Sequence, residues 1–249
     1  MGTTIVLKKE HLVKKTYNGA IKESKVLGFP QENSPVKPYS NIFYWSNMAS
    51  DFGSVITEHP IIGFEILTYV LKGAYETFDK ESGQWFRMNQ GDMQLIQAGK
   101  GIRYSGKLHP LSEIIQVWID PDLNLSRRTD PVLIRYAAEN VPVNNFRESS
   151  SHIYKGAENS IRLNSKDVAF HVMELGAGFH TIPTSKDAVL SGYVVEGYIE
   201  IDDTLMGVGD FFKVENKKEL HLASLINSKI FTLTSPYKPE YQTYAEMQL

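Results

Sequence analysis

The stretch YVLKG at residues 69–73 decides the fold, because it returns as YVVEG at residues 193–197, 124 residues further along the chain. A Gly-Asp pair follows each copy, at residues 91–92 and at residues 209–210. The same signals appear in the same order in both halves. The sequence therefore predicts two copies of one structural unit, with the glycines of the two copies in equivalent positions.

Both copies have the composition of β-strands. Residues 66–71 (ILTYVL) and 193–201 (YVVEGYIEI) are rich in β-branched and aromatic side chains, and glycine and aspartate turns bound them. No amphipathic helical pattern longer than a few turns interrupts these short strands. We therefore expect an all-β protein of two jelly-roll β-barrel domains that close their own edges.

A polar segment, residues 121–166, lies between the two copies and predicts the domain connection. We expect an N-terminal domain over residues 1–130 and a second domain, with the connection, over residues 131–249. Residues 131–139 are compatible with a short helix. The alternative is a single domain with a long functional loop here, although unstructured loops of that length are uncommon.

The composition excludes several classes of protein. The chain of 249 residues contains no cysteine, which excludes disulfides, thiolate metal ligands and cysteine nucleophiles. With 26 Lys plus Arg against 29 Asp plus Glu, no long-range field favours nucleic acid or an anionic membrane. No apolar run is long enough for a signal peptide or a membrane span. We expect a cytoplasmic protein that binds neither nucleic acid nor membrane, and no protein partner is indicated.

Three ordered segments resemble the signature motifs of the pirin family. Residues 59–73 (HPIIGFEILTYVLKG) resemble HPHRGFE followed by TYVLEG, and residues 88–102 (MNQGDMQLIQAGKGI) resemble NPGDxQWMTAGxGI. Residues 115–119 (IQVWI) resemble the family's LQLWV strand. The likeness is best over residues 41–121, weaker through the second copy, and loose over the first forty residues. It implies a bicupin, in which both domains belong to the cupin superfamily.

The resemblance also implies a metal site that this chain has largely lost. In the family, three histidines and a glutamate hold iron or another divalent ion inside the N-terminal domain. His59 matches the first ligand position, but Ile61, Tyr104 and Gly106 stand at the other three. Because intact motif residues fix the register on both sides, we expect no metal cofactor. A second interpretation keeps an ion such as iron on His59, Glu65 and Tyr104, although tyrosine is a poor ligand for such ions.

Two functions remain open from the residues alone. In the first, the degraded site leaves a more apolar pocket, and the protein binds a small molecule without catalysis. In the second, the protein is an enzyme, a metal-dependent dioxygenase of the pirin or quercetinase type, which requires the ion. The residues do not decide between an enzyme and a binding protein. The candidate pocket residues are His59, Ile61, Glu65, Tyr104, Gly106 and Gln116.

Overall fold

The computed structural model describes residues 2–80, 82–146, 149–153 and 163–248. Strands contain 59% of the residues and helices 6%, which confirms the all-β prediction. The strands of the first half are β1 (Thr3–Leu7), β2 (Val13–Tyr17), β3 (Ile21–Leu27), β4 (Ile42–Ser50), β5 (Ser54–Ile61), β6 (Glu65–Lys72), β7 (Ala74–Asp79), β8 (Gln84–Asn89), β9 (Met93–Gln97), β10 (Ile102–Leu108), β11 (Ser112–Ile119) and β12 (Val132–Tyr136).

The second half continues with strands of similar length. They are β13 (Val143–Phe146), β14 (Ser149–Ile153), β15 (Ala169–Leu175), β16 (Gly178–Pro183), β17 (Ala188–Glu196), β18 (Tyr198–Ile201), β19 (Thr204–Gly207), β20 (Phe211–Glu215), β21 (Glu219–Ser224) and β22 (Ser228–Pro236). Two one-turn helices, α1 (Leu123–Ser126) and α2 (Tyr244–Met247), and two 3-10 turns, Lys9–His11 and Ala138–Asn140, complete the described elements. Among the helices that the structure describes, none has the length and apolar character needed to cross a bilayer.

The chain divides into two compact units. The N-terminal unit comprises Val13–Asn140 together with Leu163–Ser165 and Tyr241–Leu249. The C-terminal unit comprises Met1–Leu12, Val141–Arg162 and Lys166–Glu240. The first strand, β1, belongs to the C-terminal unit because it pairs with β20. The break between the units follows Asn140, whereas the boundary predicted at residue 130 lies just before β12, a strand that pairs with β9.

The N-terminal unit is a sandwich of two open antiparallel sheets. The larger sheet has the order β12-β9-β6-β11-β4-β3-β2, and the smaller has the order β5-β10-β7-β8. Ile66 and Ile114 of the larger sheet meet Tyr75 and Leu108 of the smaller one in a single core. The prediction of closed barrels is wrong, because the sheets are not closed. In the described part of the chain β2 pairs with β3 and β5 pairs with β10, so each leaves an open edge.

The C-terminal unit repeats this arrangement. Its sheets have the orders β1-β20-β17-β22-β15-β14-β13 and β16-β21-β18-β19. Gly73 and Gly197 occupy equivalent turns, with φ of +69° and +79°. The residue after each glycine donates its backbone N–H to a serine hydroxyl, that of Ser112 at 2.8 Å and that of Ser228 at 3.1 Å. The repeated signals of the sequence thus mark equivalent turns of two related units.

The second glycine of each copy is equivalent as well. The backbone N–H of Gly91 donates to the carbonyl of Val70, and that of Gly209 donates to the carbonyl of Val194, each at 2.9 Å. Both glycines have positive φ, +87° and +92°. An L side chain rarely adopts this conformation, which explains why glycine stands at both positions.

The connection between the copies contains strands where a helix was expected. The short helix predicted over residues 131–139 is wrong, because Val132–Tyr136 forms β12 and only the turn Ala138–Asn140 is helical there. The β-branched and aromatic side chains of β12 suit a sheet edge, where it pairs with β9. Residues 147–148 and 154–162 of the predicted connection lie outside the described residues.

Candidate functional site

A cavity of about 260 Å³ lies in the N-terminal unit, between the larger sheet and β5, the edge strand of the smaller sheet. Strands β2, β3, β4 and β11 supply one side, and β5 supplies the other. The cavity is present where the two sheets stay open. Its lining residues are Tyr17, Ile21, Glu23, Phe29, Tyr44, Met48, Ile56, Thr57, His59, Gln116 and Trp118.

Aromatic rings form one wall of this cavity. The ring centroid of Phe29 lies 4.8 Å from that of Tyr44 and 5.6 Å from that of Trp118, the latter edge-on. The indole Nε1 of Trp118 donates to Gln116 Oε1 at 3.1 Å, so its polar atom is satisfied. Tilted and edge-on aromatic contacts of this kind stabilise a rigid wall against which another ring can pack.

Glu23 brings a carboxylate to the same cavity. Its side chain is 1% exposed, and Oε1 accepts a hydrogen bond from the Tyr44 hydroxyl. Burial, and then the charge of Glu23, raise the pKa of Tyr44 well above its ordinary value, so the phenol keeps the proton that it donates. Oε2 of Glu23 accepts no hydrogen bond from the described residues, and the Nζ atom of Lys25 lies 3.6 Å from it.

The ammonium group of Lys25 is held mainly by Glu32. Its Nζ atom donates to the two carboxylate oxygens of Glu32 at 2.9 and 2.8 Å, and lies 5.3 Å from the ring centroid of Tyr44. Lys15 donates to the same carboxylate at 2.6 Å. Burial opposes ionisation of Glu32, but the two lysines outweigh it and lower its pKa to about 2. Lys25 is therefore held mainly by Glu32, and its ammonium group keeps only an ion-pair contact with Glu23, whose Oε2 accepts no hydrogen bond from the described residues.

Of the six predicted pocket residues, His59 and Gln116 line the cavity. The Nδ1 atom of His59 lies 3.0 Å from the carbonyl oxygen of Thr57, and its ring meets that of Tyr104 edge-on at 5.6 Å. Gln116 Nε2 donates to Thr68 Oγ1 at 3.3 Å and lies 3.5 Å from the Tyr104 hydroxyl. Tyr104 is buried next to these two residues, and its burial raises its pKa to about 12.

Tyr75, which the sequence reading missed, completes this buried group. Its fully buried hydroxyl hydrogen-bonds that of Tyr104, and a Cβ atom at Gly106 would overlap the Tyr75 hydroxyl. Ile61 is 3% exposed and packs in the same core. The positions matched to the second, third and fourth metal ligands therefore hold an aliphatic side chain, a phenol, and a glycine whose side-chain space contains a second phenol.

Glu65 lies elsewhere in the N-terminal unit. It is three residues from Thr68 on β6, so the two side chains point to opposite faces of the larger sheet. One oxygen of Glu65 accepts from Gln97 Nε2 at 2.6 Å and from the backbone N–H of Asn164 at 2.7 Å. The other accepts from the backbone N–H of Ser165 at 3.0 Å. Glu65 is thus a buried, fully bonded anchor for residues 163–165.

The positions of these side chains decide whether the metal site that the family implies can form here. The trio of His59, Glu65 and Tyr104 is not brought together, because Glu65 faces away from the other two. Within the described ranges, no three His, Asp or Glu side chains are grouped so that they could hold an ion. A catalytic site for a divalent ion ordinarily needs at least three protein ligands and an open position. The residues present therefore do not fit the family's four-ligand site.

The first forty residues contribute more to the cavity than their loose likeness to the family indicated. Tyr17, Ile21, Glu23 and Phe29 all line it. The sequence signal for this contribution was the alternation of inward and outward side chains in β3, where Ile21 and Glu23 share one face of the strand. A carboxylate in the inward row of a strand is unusual, and it marked a polar feature of the interior.

Comparisons with known proteins agree with the sequence motifs. Residues 21–119 match the family model Pirin. Quercetin 2,3-dioxygenase of Escherichia coli (strain K12) is 40% identical over 70 residues, which cover 26% of this chain and 29% of that relative. Human Pirin is 26% identical over 181 residues, which cover 64% of this chain and 61% of the human protein.

The solved structures agree on the fold. A bacterial pirin from Escherichia coli, crystallised in complex with nickel(II), aligns with a TM-score of 0.79 at 19% identity. The alignment covers 94% of this chain and 99% of that one. At this identity the likeness shows the fold alone, and it extends through both units. The ordered motifs, the family-model match over residues 21–119 and the two-unit β fold together support the pirin family of the cupin superfamily for this chain.

Proposed function

We propose that this protein binds a small ring-bearing molecule in the cavity of its N-terminal unit, without a metal ion and without catalysis. The observation that carries the proposal is the cavity wall, in which Phe29, Tyr44 and Trp118 present aromatic surface beside the acceptor atoms of Glu23 and His59. Ligand sites are mostly apolar with a few placed polar groups, as here. A volume of about 260 Å³ suits one or two fused rings.

The metal-free part of the proposal rests on the matched ligand positions. Only His59 offers a nitrogen in the manner of the family, and Tyr75 and Tyr104 fill the space beside it with protein atoms. A buried ion needs several converging donors to offset its loss of water. The lack of cysteine and the near-balanced charge further support a cytoplasmic protein whose partner is a small molecule rather than nucleic acid or a membrane.

The second candidate is a metal-dependent dioxygenase of the pirin or quercetinase type. Two observations favour it: the relatives named quercetin 2,3-dioxygenase, and the histidine retained at the first ligand position. Oxygen uptake with quercetin, measured after anaerobic loading with iron or nickel, tests it. We expect no uptake above the buffer rate. Uptake that depends on added metal and is lost in His59→Ala would establish the dioxygenase instead.

Calorimetric titration with 2-naphthol, a two-ring probe, tests the binding proposal in protein dialysed against EDTA. Ile56 lines the cavity, and Ile56→Trp should fill it. Val55 precedes it on β5, points to the other face and is 42% exposed, so Val55→Trp is the matched control. We expect one site in the parent and in the control, and at least tenfold weaker binding in Ile56→Trp. Equal binding in all three proteins, or binding only after metal is added, would overturn the proposal.

A further inference from the structure

We infer that Glu23 determines which ring compounds the cavity accepts, an inference that rests on the proposed function. The carboxylate accepts a hydrogen bond from a ring O–H or N–H group of the occupant. The cavity therefore selects neutral, hydrogen-bond-donating ring compounds over ring carboxylates of the same size.

One carboxylate oxygen of Glu23 has unmet hydrogen-bonding capacity. Its side chain is 1% exposed, and Tyr44 satisfies Oε1. Oε2 accepts no hydrogen bond from the residues that the structure describes, while the side chain lines the cavity. A buried acceptor without a donor is unfavourable, and an occupant that supplies an O–H or N–H restores the missing bond.

The donor groups near Glu23 already donate hydrogen bonds to other side chains. Lys25 donates to both oxygens of Glu32 and stays 3.6 Å from Glu23. Gln116 directs its Nε2 to Thr68 and accepts from Trp118 with its Oε1. Among the described side chains that line the cavity, no buried donor is free to meet a carboxylate of the occupant, whose negative charge would also approach that of Glu23.

His59 supplies a second hydrogen-bond acceptor to the cavity. A carbonyl oxygen cannot donate, so the contact of Nδ1 with the Thr57 carbonyl at 3.0 Å assigns the proton to Nδ1. In the neutral ring, Nε2 is then an acceptor. The other polar side chains of the lining, Tyr17 and Thr57, are exposed. The Glu23 carboxylate at the buried end of the cavity and the imidazole of His59 thus both favour an occupant that donates a hydrogen bond.

Three naphthalene probes of matched size test this inference by calorimetry on EDTA-dialysed protein. They are 2-naphthol, which donates, 2-methoxynaphthalene, which does not, and 2-naphthoic acid, which is anionic. We expect the parent to bind 2-naphthol about tenfold more tightly than either of the others. Glu23→Gln removes the charge and keeps an acceptor for Tyr44, so it should lower the preference for 2-naphthol over 2-naphthoic acid by about tenfold.

Two further variants keep the test decisive. Glu58→Gln removes a carboxylate from the outer face of β5, where Glu58 pairs with Arg103 and Lys80, and should leave the preference unchanged. Tyr44→Phe frees both oxygens of Glu23 and should keep or increase the preference. If the parent binds the three probes equally, or Glu23→Gln keeps the parent's preference, the inference is wrong while the proposed function stands. If no probe binds, the proposed function fails and the inference falls with it.

Discussion

The hydroxyl of Tyr75 occupies the space into which any side chain at Gly106 would extend. The two residues are diagonal neighbours on β7 and β10, where Gly106 pairs with Thr77. The same hydroxyl hydrogen-bonds that of Tyr104, so a pair of buried phenols lies beside the position matched to the family's fourth metal ligand. Protein atoms thereby fill the space beside Gly106, and the two phenol groups stay hydrogen-bonded to each other.

Gly106→Ala should lower the free energy of unfolding by about 1–3 kcal/mol, because the new methyl group meets a ring that cannot move within a packed core. In a Tyr75→Ala background the same change should cost less than about 0.5 kcal/mol, since its obstacle is gone. Urea denaturation of the four proteins measures both values. An equal cost in the two backgrounds would show that Tyr75 does not fill this space.

Tight metal binding at the matched positions should require truncation of Tyr75 along with the introduction of the three ligands. We expect the variant with Ile61→His, Tyr104→His, Gly106→Glu and Tyr75→Ala to bind nickel in a calorimetric titration, because three donors then join His59 with room for the carboxylate. The variant with the same three ligands and Tyr75 intact is the control, and it should bind nickel more weakly, because Tyr75 occupies the space that the carboxylate needs. A folded four-substitution variant without affinity for nickel would disprove the position-by-position match to the family.

Glycines with the same backbone conformation should differ in their tolerance of alanine. Gly73, Gly197, Gly19 and Gly83 have φ of +69°, +79°, +68° and +67°. A Cβ atom at Gly73 would collide with Ser112, and one at Gly197 would collide with Ser228. At Gly19 or Gly83 a Cβ atom would meet nothing within 4 Å. We expect alanine to cost about 1 kcal/mol at the two open positions, and about 1–3 kcal/mol more at the two crowded ones. Thermal and urea melts that give equal costs at the four positions would show that Ser112 and Ser228 do not restrict side chains at Gly73 and Gly197.

Asp120 should make stability depend on pH. Its carboxyl is 1% exposed, and burial raises its pKa from 3.8 to about 7, although the backbone N–H of Tyr244 donates to it. A folded-state pKa above the unfolded value gives stability that is complete below the unfolded pKa and is lost as the pH rises through about 7. Asp120→Asn keeps an acceptor for Tyr244 and should reduce this loss, on the order of 4 kcal/mol, between acidic and neutral pH.

Urea melts at intervals from acidic to mildly alkaline pH measure the Asp120 effect. Asp187→Asn, at an exposed carboxylate of the C-terminal unit, is the control and should leave the profile of the parent unchanged. Parallel profiles for the parent and Asp120→Asn would show that this carboxyl titrates alike in the folded and unfolded states.

The repeat and the strands could be predicted from the sequence because they depend on local features. Gly73 and Gly197 mark tight turns, and alternating apolar residues mark the strands. Closure of the sheets depends instead on which edges find a partner, and no local pattern encodes that β2 and β5 stay apart. Residues 131–139 were misread because a short apolar run suits a helix or a strand equally, and pairing with β9 decides between them.

The candidate site could be predicted only in part. His59 and Gln116, which the family motifs mark on strands, both line the cavity. The motifs could not reveal that Tyr75, on another strand, fills the space beside Gly106. Glu65 lies on the face of the larger sheet opposite to Thr68, as strand alternation requires. Glu23 was missed because it lies outside the motifs.

The metal content of the purified protein tests the central claim, that this cavity works without an ion, most directly. Elemental analysis for iron, nickel, copper and zinc should be made after dialysis against EDTA, beside a pirin with all four matched ligands prepared identically. We predict a total far below one equivalent per chain, with the same value in His59→Ala. A full equivalent in the parent that is lost in His59→Ala would contradict the account, because it would mean that His59 and residues outside the matched positions have rebuilt a metal centre.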